Sequence, residues 1–291
     1  MKKTIARYYS LTKPGVMYGN ALTAAAGFLF ASLALTDRID GWLFLALCTG
    51  TTLVIASACA LNNYLDQDID RIMERTKKRA IPSGDIKASH ALIFSIAIGA
   101  LGMAVLILWT NWLVTLVGVA GFITYVWLYG ALSKRRSIHG TLVGSISGAM
   151  PILAGYVAVS GQFDIGALIV FIILFAWQFP EFYSIAIYRL KEYKAAKIPL
   201  LPIVKGIKRT KIEILIYTIV YVAATLILTP LGYTGYIYFI VMTALGGYWL
   251  LLAVRGFSAA DDDAWARQMF GFSMISILGL CVMLSVGPIL P

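Results

Sequence analysis

The chain has 291 residues, of which 60% are hydrophobic and 13% are charged, and its mean hydropathy is +0.82. A soluble domain is about half apolar and about a quarter charged, so this composition indicates an integral membrane protein and excludes a water-soluble enzyme, a disordered chain and a disulfide scaffold. The 24 basic and 14 acidic residues give a formal charge of +10, and the charges lie between apolar runs.

Apolar stretches predict an all-α bundle of nine transmembrane helices, because a helix needs about 20 apolar residues to cross the hydrocarbon core. Two stretches, 88–133 and 214–254, are long enough for two helices each, with turns near Thr110-Asn111 and near 229–232. The other stretches each fit one helix, and only Glu181 interrupts them: 14–36, 41–65, 137–163, 165–188 and 268–291.

The basic residues predict how this bundle is oriented in the membrane. A cytoplasmic N-terminus puts 23 of the 24 Lys and Arg residues on the cytoplasmic side and leaves only Arg38 outside. Nine spans then place the C-terminus on the external side. Topology and anionic lipid account for the positive charge, so no nucleic-acid partner is expected.

Two long cytoplasmic loops, 66–87 and 189–211, hold most of the polar residues, which predicts a site that faces the cytoplasm. Each loop has an acidic cluster, then a basic stretch, then Ile-Pro, and Asp66 precedes Glu192 by 126 residues. This similarity favours a single domain, 1–291, built from duplicated halves at about 1–135 and 136–291.

The acidic motif at the end of the second span is the most informative segment. Asn62, Asp66 and Asp70 recur every four residues and share one face of a helix, whereas Asp68 points elsewhere. Carboxylates at this spacing repel each other, so a cation is expected among them. Oxygen ligands of this kind suit Mg²⁺, which takes one or two carboxylates and completes its shell with water and phosphate oxygens.

Basic residues follow these acids and also end the fourth span, which predicts a diphosphate site beside the metal. The candidates for diphosphate binding are Arg71, Lys78, Arg79, Lys134 and Arg189. An alternative interpretation is a solvated helix end at which Arg71 and Arg75 only neutralise the acids, since the orientation rule by itself predicts basic loops here.

A second polar constellation lies in the sixth span and directly after it. Glu181, Tyr188 and Glu192 share one helical face, at offsets of seven and four residues. Glu181 lies inside an otherwise uncharged run, where an ionisable side chain is costly unless a partner is supplied. The sequence leaves two interpretations open: a functional acid, or a structural ion pair with a buried Lys or Arg.

Two motifs carry a resemblance to a known family. The segment 62–79, NNYLDQDIDRIMERTKKR, resembles the Mg²⁺-diphosphate motif of the UbiA superfamily of intramembrane prenyltransferases. The segment 177–206, WQFPEFYSIAIYRLKEYKAAKIPLLPIVKG, looks like the second motif of its protohaem IX farnesyltransferase branch. The resemblance extends from 11–15, LTKPG, to Phe270-Gly271, and therefore covers nearly the whole chain.

The resemblance implies that farnesyl diphosphate and haem B react, through Mg²⁺-assisted ionisation to an allylic cation, to give haem O and diphosphate. It implies catalytic metal ligands at Asn62, Asp66, Asp70 and Glu192. It also implies a haem or prenyl pocket lined by Tyr64, Tyr129, Glu181, Tyr188 and Tyr193. The implied location is the bacterial inner membrane, among its lipids, with haem A synthase or a terminal oxidase receiving the product.

The chain departs from the family pattern at two positions. The family usually has His where this chain has Glu181, and commonly has Asp where this chain has Glu192. Glu181 itself, His90 or His139 would then have to serve the haem.

Two other functions remain as alternatives. A related prenyltransferase acting on a quinone or chlorophyll precursor would share the first motif and differ at the second. An ion-coupled transporter is disfavoured, because its acids would lie near the centres of broken spans, whereas here they cluster at one membrane face.

Overall fold

The computed structural model describes residues 2–291, and this part of the chain is helical, without a strand. The predicted all-α class is therefore confirmed. The helices, in chain order, are α1 (Lys2–Leu11), α2 (Pro14–Ala31), α3 (Gly41–Leu65), α4 (Gln67–Ile72), α5 (Ala88–Trp109), α6 (Trp112–Ile123), α7 (Gly140–Ser160), α8 (Ile165–Tyr188), α9 (Leu190–Ala195), α10 (Leu201–Val204), α11 (Gly206–Leu226), α12 (Tyr236–Arg255) and α13 (Asp262–Val286). Wider π-helical turns extend α2 over Ser32–Thr36 and α6 over Thr124–Ser133.

Eight helices of the described chain, residues 2–291, are long and apolar enough to cross a membrane: α2, α3, α5, α6, α7, α8, α12 and α13. The chain is thus an integral membrane protein. The one remaining predicted span, the seventh in chain order, corresponds to α11. This helix begins inside the predicted loop 189–211 and has four charged residues near its start, Lys208, Arg209, Lys211 and Glu213.

Both predicted hairpin turns are present. Asn111 begins α6 by accepting a hydrogen bond from the backbone N–H of Val114, and its amide donates to the carbonyl of Val157, so it also ties this turn to α7. The second turn contains Gly232, whose φ of 79° lies in the left-handed region that glycine adopts without a steric penalty.

Small residues let the spans approach closely near the centre of the bundle. A Cβ atom on Gly27 of α2 would lie 2.2 Å from the carbonyl oxygen of Ile152 in α7. A Cβ atom on Gly155 of α7 would lie 2.1 Å from the carbonyl oxygen of Ala24 in α2. Glycine is therefore required on both helices, as is common where membrane helices pack backbone to backbone.

Large apolar side chains are exposed around the outside of the bundle, on surfaces that a soluble protein would bury. Leu108 is 68% exposed and Trp112 is 71% exposed, and both lie in the hairpin between α5 and α6. The three cysteines, Cys48, Cys59 and Cys281, are free thiols within spans. This apolar belt is the expected surface for lipid.

The segments 66–87 and 189–205 lie at one end of the bundle, which we call the polar end. Helix α1 packs there: Arg7 forms an ion pair with Asp85 at 2.6 Å, and the Tyr8 and Phe94 rings are 5.2 Å apart. The two segments meet in a small apolar cluster of Ile69, Met73 and Ile198, with Tyr193 packed against it. The polar segments are therefore held in contact and include the short helices α4, α9 and α10.

Candidate active site

The acidic motif is placed by a tight break between α3 and α4. Helix α3 ends at Leu65, yet the N–H of Asp66 still bonds the carbonyl of Asn62 at 2.9 Å, and the N–H of Asp70 bonds the carbonyl of Asp66 at 2.8 Å. The four-residue stripe therefore continues across the break. Asn62, Asp66 and Asp70 are only 2%, 1% and 3% exposed, whereas Asp68 is exposed to solvent, as the helical spacing predicts.

Each aspartate of this segment is paired with a basic side chain. The Lys134 ammonium lies 2.5 Å from Asp66, and the Arg79 guanidinium donates to both oxygens of Asp70 at 2.9 and 2.8 Å. Arg135 is bidentate on the exposed Asp68, at 2.7 and 2.8 Å. Buried carboxylates need such partners, because an unpaired charge is costly away from water.

The pairing also shifts protonation equilibria. The hydrogen bonds from Arg135 lower the pKa of Asp68. Burial of the Lys134 ammonium acts to lower its pKa, but the neighbouring Tyr129 and Asp66 outweigh this effect and raise the pKa overall. Lys134 is therefore held as a cation at the buried end of the motif.

The π-helical turns at the end of α6 bring the predicted residues Tyr129 and Lys134 to the acids. The backbone N–H of Lys134 bonds the carbonyl of Tyr129, five residues earlier, at 2.9 Å. Gly130 faces the motif, since a Cβ atom there would lie 3.6 Å from the amide nitrogen of Asn62. Stretches of π-helix are frequent at functional sites, where they re-aim side chains.

Lys13 is a site residue that sequence analysis missed. It occupies the break between α1 and α2 with φ 50° and ψ 69°, and its ammonium donates to the amide oxygen of Asn62. Burial lowers the pKa of Lys13 to about 8. Its position directly before Pro14 in the segment LTKPG was the available signal, but the lysine was counted only as an orientation charge.

Three buried polar atoms of the site have no hydrogen-bond partner within residues 2–291: the amide nitrogen of Asn62, one oxygen of Asp66 and one oxygen of Glu192. Unpaired carboxylate oxygens fit a divalent cation, which prefers oxygen ligands. The described residues contain no group of three or more His, Cys, Asp or Glu side chains already close enough to hold a metal. A bound Mg²⁺ would therefore need the Asn62 amide, water and substrate oxygens as further ligands.

The second polar constellation lies where α8 ends. Arg189 donates to Glu192 at 3.0 Å. Two guanidinium groups lie over the Tyr188 ring, with Arg267 at 4.7 Å and Arg189 at 5.5 Å from its centroid. The phenol of Tyr193, whose pKa burial raises, is electrostatically coupled to Tyr129 and Lys134. The two constellations thus approach each other at the polar end through Tyr193.

Glu181 is half-buried in α8, and the contacts of its neighbours on the helix show toward which helices its side chain faces. One helical turn earlier, the Trp177 indole donates to the carbonyl of Ser273 in α13, and the Gln178 amide donates to that of Ser145 in α7. Glu181 therefore lies in the sector between α7 and α13. Within residues 2–291 no Lys or Arg forms an ion pair with it, so the structural ion-pair interpretation gains no support.

Some predicted residues lie away from this cluster. Tyr64 packs against a separate apolar cluster that includes Leu11 and Ile81, because residues two apart on a helix point to nearly opposite sides, and its place in the pocket stays a prediction. Arg71 and Lys78 are exposed and, in the described chain, pair with no acid. Both histidines considered for haem, His90 and His139, are exposed.

The fold and the buried acidic motif define an intramembrane prenyltransferase. The chain belongs to the UbiA prenyltransferase family, which it matches over residues 20–277.

Two relatives illustrate the similarity within this family. The chain is 48% identical over 282 residues to the protoheme IX farnesyltransferase of Yersinia enterocolitica, covering 97% of this chain and 94% of that one. It is also 48% identical to the protoheme IX farnesyltransferase of Chromohalobacter salexigens, covering 96% and 94% of the two chains.

Solved structures share the fold at low sequence identity. Digeranylgeranylglyceryl phosphate synthase superposes with a TM-score of 0.81 at 21% identity, covering 99% of both chains. A UbiA homologue from Archaeoglobus fulgidus, bound to GPP and Mg²⁺, superposes with a TM-score of 0.70 at 16% identity, covering 96% of this chain and 100% of that one.

Proposed function

We propose that the chain transfers a farnesyl group from farnesyl diphosphate to a vinyl group of haem B, giving haem O and diphosphate. The observation that carries the proposal is the 48% identity, over nearly the full length, to proteins named protoheme IX farnesyltransferase. The buried acidic motif, surrounded by Lys134, Arg79 and Lys13, has the charge pattern that a diphosphate with a divalent metal requires.

We propose Mg²⁺ as the metal, held by Asn62, Asp66, Asp70 and Glu192. One oxygen of Asp66 and one of Glu192, each buried without a hydrogen-bond donor, support this assignment. When bound, Mg²⁺ would supply Lewis-acid stabilisation of the negative charge on the leaving diphosphate. Lys134 and Arg79, which hold the aspartates in this structure, would be released to donate to diphosphate oxygens, with Arg71, Lys78 and Arg189 as outer candidates for the same anion.

The chain's own residues can assist ionisation of the allylic ester. The C–O bond breaks with its electron pair leaving on the diphosphate, which the surrounding ammonium and guanidinium groups stabilise. The rings of Tyr129, Tyr188 and Tyr193 at the mouth of the site can stabilise the allylic cation and exclude water. A vinyl carbon of haem B then bonds the cation, and water adds to the adjacent carbon and loses a proton, which gives the hydroxyethylfarnesyl product.

Glu181 is proposed to serve the haem. It lies in the sector between α7 and α13 and precedes Glu192 by 11 residues, farther from the polar end of the bundle. It has no ion-pair partner in the described chain. A carboxylate without an ion-pair partner in the protein can interact with a bound haem, either with its macrocycle or with its iron.

We propose that α11 is a ninth span, which places the N-terminus in the cytoplasm and the C-terminus outside. In support, Tyr217 of α11 stacks on Phe179 of α8 at 3.6 Å, and Tyr221 packs edge-on against Trp249 of α12. The charged residues of α11 are near the polar end, where long side chains can reach headgroups. An epitope tag after Pro291 should be accessible in intact spheroplasts, and accessibility only after lysis would contradict this topology.

The active site would then face the cytoplasm of a bacterial cell, in its inner membrane. The product is a lipid-soluble haem, so a haem A synthase or a terminal oxidase is the proposed recipient. Duplication of the halves, about 1–135 and 136–291, stays a prediction.

The proposed reaction is tested by the mass of its product. Purified protein is incubated with farnesyl diphosphate and Mg²⁺ and with either haem B or a quinone precursor as acceptor. We expect a haem product heavier by one farnesyl group and one hydroxyl group, and no prenylated quinone precursor. Prenylation of the quinone precursor alone would favour the related enzyme instead.

A further inference from the structure

Lys13 lies at a backbone position that the chain holds against its steric preference. It joins α1 to α2 with a left-handed conformation, φ 50°, which a residue with a side chain rarely adopts. Such conformations persist where the surroundings fix them, and they are common at functional sites.

The contacts around this turn hold it without the help of the Lys13 side chain. The Asn63 amide donates to the carbonyl of Leu11 at 2.7 Å, and the Thr12 hydroxyl donates to the carbonyl of Tyr9 at 2.7 Å. The backbone N–H of Lys13 itself bonds the carbonyl of Ser10. The ammonium group is therefore free for another task.

The Lys13 ammonium is the surplus cation of the buried cluster. Lys134 is paired with Asp66 and Arg79 with Asp70, whereas within residues 2–291 Lys13 forms no ion pair and donates to the neutral amide of Asn62. Arg135 adds a fourth cation, 3.6 Å from Asp66 and paired with Asp68, so four cations surround three carboxylates and one positive charge is in excess. A partly buried lysine without an acidic partner indicates a missing anion.

The Asn62 oxygen that accepts from Lys13 is also the side-chain oxygen that a metal would need. The amide oxygen has two lone pairs, but a metal ion bound to it would repel the Lys13 ammonium at close range. Loading the site would therefore favour transfer of the ammonium from the neutral amide to a nearby anion.

We propose that Lys13 is a diphosphate-binding residue that occupies the Asn62 oxygen in the substrate-free protein and transfers to a diphosphate oxygen when the metal-diphosphate binds. The proposal deepens the proposed function and rests on it for the identity of the anion. It assigns the segment LTKPG, at the start of the first span, to the donor site.

The test uses the purified full-length protein and two substitutions at this position. Lys13→Gln keeps a hydrogen-bond donor for Asn62 but removes the charge, and Lys13→Arg keeps the charge. Lys87→Gln is the matched control, because Lys87 also directly precedes a span yet is exposed. Binding of inorganic diphosphate with Mg²⁺ is measured by calorimetry, and thermal unfolding is measured beside it.

We expect Lys13→Gln to weaken diphosphate binding by about 10- to 100-fold, the loss typical of a hydrogen bond to a charged group. Lys13→Arg should remain within a few fold of the wild type, and Lys87→Gln should be unchanged. Wild-type affinity in folded Lys13→Gln, or equal weakening in Lys13→Gln and Lys13→Arg, would overturn the proposal. If Lys13→Gln does not fold, Lys13→Gly takes its place, since glycine adopts the left-handed backbone readily.

The readout separates this proposal from the proposed function. Because inorganic diphosphate has no prenyl group and no acceptor is present, the Lys13 effect is measured without turnover. If the wild-type protein makes no haem product but Lys13→Gln still loses diphosphate affinity, the proposed haem acceptor is contradicted. The proposed role of Lys13 in diphosphate binding then still holds.

Discussion

The two acidic regions of the polar end differ in how their charges are balanced. In the first region, Asp66 and Asp70 are buried and paired with Lys134 and Arg79. In the second region, Glu192 has one partner, Arg189, and an unpaired oxygen, while Glu181 has no ion-pair partner in the described chain. In the first region both carboxylates have basic partners before substrate binds and one cation, Lys13, is in excess, whereas in the second region the Glu181 carboxylate has no basic partner within the described chain.

The difference has a physical cause. Two carboxylates at the mouth of an apolar bundle cannot both stay ionised without nearby cations. The cations come from residues that flank helices: Lys13 precedes α2, Arg79 follows α4 and Lys134 follows the π-helical extension of α6. The half-buried Glu181 carboxylate has no ion-pair partner within the described chain, and a ligand that supplies one would offset the cost of its burial. In the first region, the basic side chains can therefore exchange a carboxylate for a diphosphate oxygen. In the second region, Glu181 can gain its first partner from a bound ligand.

The largest expected effect tests the buried and exposed aspartates against each other. Asp66→Asn and Asp70→Asn should each lower turnover by at least about 100-fold, because each removes a charge that the metal-diphosphate needs. Asp68→Asn should stay within about fivefold, since its exposed ion pair with Arg135 contributes about 1 kcal/mol or less. Steady-state diphosphate release measures all three, and equal effects would show that burial does not distinguish these acids.

The next prediction concerns the pair between Lys134 and Asp66. Lys134→Met should lower the free energy of unfolding by about 3 kcal/mol, because it leaves the buried Asp66 carboxylate with only the more distant Arg135, at 3.6 Å, as an ion-pair partner. Adding Asp66→Asn in the double variant should restore most of the stability but no turnover. Denaturation in detergent and product formation are measured together, and a double variant less stable than Lys134→Met would contradict the pairing.

Glu181 gives the corresponding test in the second region. Glu181→Leu should lower haem transfer by about tenfold through loss of one polar contact, while diphosphate affinity stays unchanged. Its stability should be equal or higher, because no partner is left unpaired. Glu181→His, which restores the residue usual in the family, should retain or raise transfer.

A structural ion pair at Glu181 predicts the opposite pattern. Both substitutions would then destabilise the protein to a similar extent, and haem product would decline in parallel with folded yield. Measuring folded yield beside turnover therefore decides between the two interpretations.

The smallest effects separate the two tyrosines that were assigned to one pocket. Tyr129→Phe should lower kcat by about threefold to tenfold, because its hydroxyl lies near Lys134 and its loss removes one polar interaction. Tyr64→Phe should change kcat by less than about twofold, as expected for a side chain that packs away from the motif. A larger loss of kcat in Tyr64→Phe would show that Tyr64 contributes to the haem or prenyl pocket.

Periodicity and charge predicted much of the fold. The apolar stretches located eight of the candidate spans, and the turn residues Thr110-Asn111 and Gly232 located both hairpins. The start of α11 was placed too late, because its first turns are charged and absence of charge was the criterion used. A helix can begin in polar sequence before it enters lipid, and only packing reveals that start.

The site was predicted in part. Four-residue spacing identified which acids are buried together, since that property is local to one helix. The partners Lys13 and Arg135 come from segments distant in sequence, and their roles depend on a left-handed turn and on π-helical turns that composition does not encode. Tyr64 follows Asn62 by two residues and packs against a different apolar cluster, so nearness in sequence does not give the two side chains a shared direction.

The most direct measurement of the central claim is diphosphate release coupled to haem product. Wild-type protein, Asp66→Asn and Asp68→Asn are incubated with haem B and farnesyl diphosphate, with Mg²⁺ or with a chelator, and both products are quantified. The account predicts one diphosphate per farnesylated haem, formed only with Mg²⁺, retained in Asp68→Asn and lost in Asp66→Asn. Farnesylated haem formed in the chelator, or formed equally by Asp66→Asn, would contradict it.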